Sequence, residues 1–352
     1  MRTFAILVAA AAISRFSLSQ VTLTETTFPV FSRKDTSRVR IEECIALSDL
    51  GINPYSTGVC VTHPLVIGLH SVTNAYLFPF LCDVIIAYWL LCLHGLSAAG
   101  LYLLHPLVAV APMIGGGSHQ LILLALMSCA GSLILGERNF AAVTVAVSTA
   151  LSPASALFLF PGFNRHGNLF VFQTFLYFIL ITAVTVCASQ SLDYLEIYTR
   201  GISSFPDPRP SAGLWWAIGS QQFEVFNSFF SILGIVILIA TTFPLSRIFT
   251  ISRSQVLSVF WVILILGPAP TIQDLILLSS SLIGESVSLA PEFSAEARRW
   301  VNCGLGAMWL FLAACWHWLR TNAGNFNFLL VPSIIVQVFL AFAIGSFIRG
   351  WK

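Results

Sequence analysis

Two long polar interruptions, residues 19–63 and 190–221, divide a chain whose remaining stretches are almost continuously apolar. The apolar runs lie near 4–13, 76–116, 120–135, 139–151, 152–163, 168–189, 222–246, 255–267, 271–283, 300–318 and 328–348. They are rich in Leu, Ile, Ala and Phe and lack the alternation of a membrane barrel strand, so each predicts a helix. The run 76–116 is about twice as long as one span needs and predicts a hairpin turning near His94 and Gly95. The run 152–163 is short and bounded by Pro153 and Pro161, and Gly267-Pro268-Ala269-Pro270 separates two further short runs. Both places read as re-entrant or half-helices. The pattern predicts an all-α, polytopic transmembrane helical bundle, one membrane domain over 1–352, with about 12 spans and a range of roughly 9–12. Residues 1–18, with Arg2 before the apolar run and Arg15 after it, fit either a signal peptide or a short first span; a retained span is the reading adopted.

The first interruption mixes charges with Ile41, Ile45, Leu47 and Leu50 near helical spacing. That spacing fits an amphipathic helix on the membrane surface, or equally a solvated helix packed on the spans. Gly51 offers a left-handed cap before the turn Asn53-Pro54-Tyr55. In the second interruption Pro206, Pro208 and Pro210 forbid a regular helix, so the backbone there lies in water or against protein. Trp215, Trp216, Phe223, Phe226, Phe229 and Phe230 follow, a pattern expected of a helix at the headgroup level turning into a span.

With 57% hydrophobic and 9% charged residues, and a mean hydropathy of +0.86, the chain has too little polar surface for a soluble globule. A net charge of +2 gives no reason to expect a nucleic-acid partner. The eight cysteines show no C-x-x-C or Cys/His metal spacing, and no metal or other cofactor is expected. Cys44 and Cys60 stand apart, because both lie in the first polar loop, where an oxidising lumen would permit a disulfide.

Arginine placement sets a sidedness. Twelve spans starting from a cytosolic N-terminus put Arg138, Arg165, Arg247, Arg253, Arg298, Arg299, Arg349 and Lys352 on the cytosolic side, together with the C-terminus. The same count makes 19–63 and 190–221 the first and second luminal loops, and puts the turn 319–327 on their face.

Candidate chemistry is sparse. There is no G-x-S-x-G or HExxH, and the seven histidines are scattered, with His63 and His317 reading as interfacial packing residues. Asp83, Glu224 and Asp274 lie within or at the edge of spans, where a carboxylate is a coupling group of a transporter or one member of a structural pair. No basic residue reads as comparably deep. Glu42, Glu43 and Asp49 would suit a glycosyltransferase of the mannosyltransferase type using a lipid-linked sugar, but there is no D-x-D. Asn322, Asn325 and Asn327, with Phe326 and Phe328 beside them, suit a hydroxyl- or phosphate-rich headgroup whose tails lie alongside, or form only a turn with Gly324 at a helix end.

Several stretches, in order, resemble the PIG-U subunit family of the glycosylphosphatidylinositol (GPI) transamidase: ALSDLGINPYSTGVCVTHPL at 46–65, LLHP at 103–106, SSFPDPRPSAGLWW through Phe230, PTIQDL at 270–275, and WHWL with NFNF at 316–328. The insertion expected between the second and third spans is reduced to a few residues around His94, and Gly219, Ser220, Gln221 and Gln222 loosen the aromatic-acidic pattern, so the chain reads as a compact, divergent member. The resemblance implies a fold related to polytopic lipid-linked-sugar glycosyltransferases. It also implies a non-catalytic subunit of the endoplasmic reticulum membrane that binds GPI lipid beside a cysteine protease-like catalytic subunit. On that resemblance Asn325 and Asn327 are expected to contact the headgroup, with Trp215, Trp216, Phe223 and Glu224 shaping the same luminal entrance.

Overall fold

A computed structural model describes residues 2–18, 36–56, 60–72, 77–115, 118–189, 193–195, 227–249, 252–267, 270–321 and 327–351. No strand occurs among them. Helix α1 (Arg2–Leu18) is followed by α2 (Arg38–Asp49) and α3 (Pro64–Val72) of the first polar loop. The predicted hairpin is present: α4 (Leu77–His94) ends at Gly95, whose φ of +87° takes the left-handed region that a residue without Cβ enters freely. Its return arm is broken into α5 (Leu96–Leu103) and α6 (Pro106–Gly115), because Pro106 cannot continue the ladder of α5.

Next come α7 (Ser118–Leu135) and α8 (Arg138–Leu151), then a 3-10 turn (Pro153–Phe158) leading into α9 (Leu159–His166), and α10 (Asn168–Ser189). The second half holds α11 (Asn227–Ile248), α12 (Ser252–Leu266), α13 (Ile272–Glu285), α14 (Pro291–Thr321) and α15 (Asn327–Gly350). By length and composition α4, α7, α10 and Leu330–Gly350 of α15 can each cross a membrane, and α11 and α12 contribute shorter apolar stretches. Among the described residues that is fewer than the expected twelve, in part because runs such as 96–115 and 153–166 are each divided into pieces too short to cross singly.

Helix α13 is the centre of the bundle. All of its residues but Ile283 are buried, which is how a helix apolar or small on every side must sit. Ser279, Ser280 and Ser281 keep its profile narrow, and Gly284 lies so close to α4 and α5 that an added Cβ would meet His94 Cβ at 2.3 Å and Ala98 Cβ at 2.8 Å. Helices α14 and α15 form an antiparallel pair beside it, Trp300 stacking on Phe339. Helix α14 begins at Pro291, well before the apolar run at 300, because its first turns are amphipathic and held by Glu296, which accepts from Arg349 on α15. In contrast α10, as apolar as the Leu330–Gly350 span, is the least enclosed of the four, with Phe172, Phe175 and Leu180 on its open side.

Candidate functional site

Three groups of polar side chains are set by the elements just described, two of them toward the end of the bundle that carries residues 36–63. The outermost is a small satellite core of Cys44, Cys60, Tyr55 and Tyr194, separate from the main core. Helix α2 turns Ile41 and Cys44 inward, and its Gly51 takes φ +72°, the left-handed conformation expected of the cap. Leu50, which the periodicity placed on the same face, is exposed. The helix therefore packs on the protein through Ile41, Cys44 and Ile45. A disulfide joins Cys44 to Cys60, with Cα atoms 5.5 Å apart, and closes the loop into a staple.

Inside that staple Asn53 Oδ1 accepts from the Tyr55 N–H at 3.0 Å, the local bond that makes asparagine a turn residue. Its Nδ2 donates to Asp193 Oδ2 at 2.7 Å, tying the first loop to the residues after α10. Tyr55 Oη donates to the Thr62 carbonyl at 3.2 Å, and its ring meets Tyr194 edge-on at 6.3 Å. Burial, reinforced by the neighbouring Tyr194 phenol, raises the Tyr55 pKa well above its ordinary value. His63 also packs edge-on against Tyr194, at 5.7 Å, and burial lowers its pKa to about 4. Its Nδ1 accepts from the Leu65 N–H at 3.3 Å, so the ring is built to stay neutral. The D-L-G-x-x-P-Y-S stretch thus acts as a clamp on the exit of α10.

Deeper lie Asp83 and Asp274, two of the three carboxylates singled out in the sequence; the third, Glu224, lies outside the described residues. Asp83 on α4 is wholly buried, accepts from Tyr102 Oη of α5 at 2.7 Å and stands 2.8 Å from Arg15 Nη2 of α1. Arg15 also lies over the Phe80 ring at 5.0 Å. The contact with Asp83 is electrostatic rather than a well-aligned hydrogen bond, for no guanidinium nitrogen of Arg15 has a hydrogen-bond acceptor. The expectation that no basic residue lies deep is therefore corrected: Arg15, read as the residue closing an apolar run, is buried and bends inward to the carboxylate. Asp274 heads α13 in a reciprocal capping box with Thr271, and His119 Nε2 of α7 reaches Asp274 Oδ2 at 3.1 Å and Thr271 Oγ1 at 2.9 Å. The two acids are thus tied to partners from three other helices, α1, α5 and α7, and to the Thr271 cap of α13 itself.

A third network sits at the opposite end, and no residue spacing along the chain signals it. Ser281 Oγ is 3.1 Å from His94 Nε2, and His94 Nδ1 is 3.1 Å from Glu285 Oε2. The order of atoms is that of a serine hydrolase relay, but the chemistry is closed off. Ser281 is wholly buried, its Oγ accepts from Trp261 Nε1 at 2.9 Å, and Arg253 Nη2 claims the same Glu285 oxygen at 2.8 Å. A hydroxyl with no surface offers no nucleophile, so the network pins α4, α12 and α13 together.

Of the lipid-contact residues expected from sequence, Trp215, Trp216, Phe223, Glu224 and Asn325 lie outside the described residues. Asn327 is the first residue of α15, and its side chain also lies outside them. Helix α14 ends at Thr321 and α15 begins at Asn327, so Asn322 and Asn325 fall between the two helices in sequence.

Comparison with known proteins adds a lineage. The family described as GPI transamidase subunit PIG-U matches residues 5–335. The chain is also similar to the GPI transamidase component GAB1 homolog of Schizosaccharomyces pombe, with 23% identity over 345 residues, covering 89% of this chain and 84% of that protein.

Proposed function

Because the chain belongs to the family of GPI transamidase subunit PIG-U, we propose that this membrane-embedded subunit is non-catalytic and helps bind the GPI lipid and present it for attachment to protein C-termini. The observation that carries the reading is the extent of the family match: residues 5–335 include both the 215–224 aromatic segment and the N-x-N at 325–327. Asn325 and Asn327 are the headgroup contact, and Trp215, Trp216, Phe223 and Glu224 form the neighbouring wall. Amide groups that both donate and accept suit a ligand of sugar hydroxyls and phosphates.

The polar groups of the bundle support a binding part rather than a catalytic one. Asp83 and Asp274 are engaged by Arg15, Tyr102, His119 and Thr271, and the hydroxyl of the Ser281–His94–Glu285 alignment is sealed. The chain sits in the endoplasmic reticulum membrane with about 12 passes and both termini cytosolic. The Cys44–Cys60 bond favours an oxidising lumen for the first loop, which agrees with the arginine count. The partners are the remaining transamidase subunits, among them the cysteine protease-like subunit that performs the chemistry.

The test is photocrosslinking. A GPI precursor carrying a photoreactive headgroup, illuminated with the purified complex, is expected to label peptides of this chain spanning 215–224 or 325–327. Labelling confined to other subunits would overturn the assignment.

A further inference from the structure

At the end of the bundle away from loop 36–63, three arginines converge from three elements. Arg165, in the last turn of α9, donates through Nη1 to the Ile134 carbonyl at 3.1 Å, which lays it against the α7–α8 turn. Arg138 opens α8 just beyond that turn, and both arginines act electrostatically on His166. Asn164 Nδ2 donates to the Ser246 carbonyl at 3.0 Å, fastening the end of α9 to the end of α11, where Arg247 lies over the Phe243 ring at 5.4 Å. The acid in these turns is Glu137, so the junction keeps a surplus of positive charge. Neither Arg138 nor Arg247 has an ion-pair partner among the described residues. His166 Nε2, shielded from solvent, has no hydrogen-bond partner.

The surroundings of these cations are apolar and open. Phe140 is 52% exposed, Phe163 42% and Phe243 45%, and Leu135 and Ile248 are likewise exposed. Arg138 and Arg247, without ion-pair partners among the described residues and close in sequence to the exposed rings of Phe140 and Phe243, match an amphipathic anion with a phosphate at one end and acyl chains at the other. We propose that the junction of the α7–α8 turn with the ends of α9 and α11 is a binding site for an anionic phospholipid. Its phosphate is held by Arg138, Arg165 and Arg247, and its acyl chains run along Phe140, Phe163 and Phe243. A zwitterionic lipid has no net charge for the arginines to attract, whereas phosphatidylserine keeps one net negative charge, and a free phosphate gains nothing from the rings. The site shares no residue with the proposed GPI contacts at 215–224 and 325–327. Only its placement in the cytosolic leaflet rests on the orientation given above.

Native mass spectrometry of the detergent-purified complex, titrated with phosphatidylserine and separately with phosphatidylcholine, tests the site. Phosphatidylserine is expected to bind with at least a roughly tenfold preference, and excess inorganic phosphate is expected to leave it bound. Arg247→Gln alone should weaken it about fivefold, the share of one basic residue near an anionic headgroup. The triple replacement Arg138→Gln, Arg165→Gln and Arg247→Gln should abolish the preference. Arg349→Gln, at an arginine already paired with Glu296 on α14, should change nothing. Equal binding of the two lipids, displacement by phosphate, or equal losses on Arg247→Gln and Arg349→Gln would each overturn the proposal.

Discussion

Arg15 and Asp83 form an ion pair of 2.8 Å with side chains 9% and 0% exposed, so the first helix is fastened to the bundle by a charge that would otherwise be stranded in the apolar interior. Removing one partner of such a pair leaves a buried charge uncompensated, at about 3–5 kcal/mol, whereas replacing both by apolar groups is often close to neutral. Arg15→Leu should therefore lower the melting temperature of the purified protein sharply. Asp83→Leu in the same chain should restore most of it. Thermal unfolding followed by size-exclusion fluorescence reads both, and equal losses in the single and double variants would show that the pair is not what holds α1.

The clamp between the first loop and the exit of α10 rests on Asn53 and Asp193 at 2.7 Å. A hydrogen bond to a charged acceptor contributes about 1.5–3 kcal/mol when well placed, and less at an exposed site. Asn53→Ala and Asp193→Ala are each expected to raise the rate of protease cleavage after α10, and the double replacement to add little to either. Fully additive effects would mean that the two side chains act separately.

His63 gives the same region a pH dependence. Its folded pKa of about 4 lies below the ordinary 6.5, so the unfolded loop takes up the proton first. The stabilisation is complete above about pH 6.5 and declines as the pH falls toward 4. Unfolding or proteolysis of the 44–63 loop measured from pH 7 to pH 4 should show that decline. His63→Asn, which keeps an acceptor for the Leu65 N–H without titrating in this range, should flatten it.

Gly284 is the contact on which the central helix depends. A Cβ there meets His94 Cβ at 2.3 Å and Ala98 Cβ at 2.8 Å, atoms fixed to their backbones. Gly284→Ala should cost about 1–3 kcal/mol through forced separation of α13 from α4 and α5. Thermal unfolding of the variant measures it, and an unchanged melting temperature would show that the helices part freely.

Helix positions were legible because apolar length is a local property. The runs 139–151 and 168–189 became Arg138–Leu151 and Asn168–Ser189, and the His94–Gly95 turn fell where the hairpin needed it. Start positions failed where the first turns are polar, as at Pro291, whose helix is held by the distant Arg349. The carboxylates Asp83 and Asp274 were conspicuous in the sequence, but their partners were not. Arg15 looked like the end of an apolar run, and His119 sat in a glycine-rich turn region; only packing brings them to the acids. The Ser281–His94–Glu285 alignment joins two helices far apart in sequence and carries no spacing signal at all.

The lipid-binding reading is tested most directly at the asparagine turn. Asn325→Leu and Asn327→Leu together, introduced into cells lacking the endogenous chain, should leave the transamidase complex assembled but greatly reduce GPI anchoring of a reporter at the cell surface. Normal anchoring by an intact complex carrying both replacements would contradict the account.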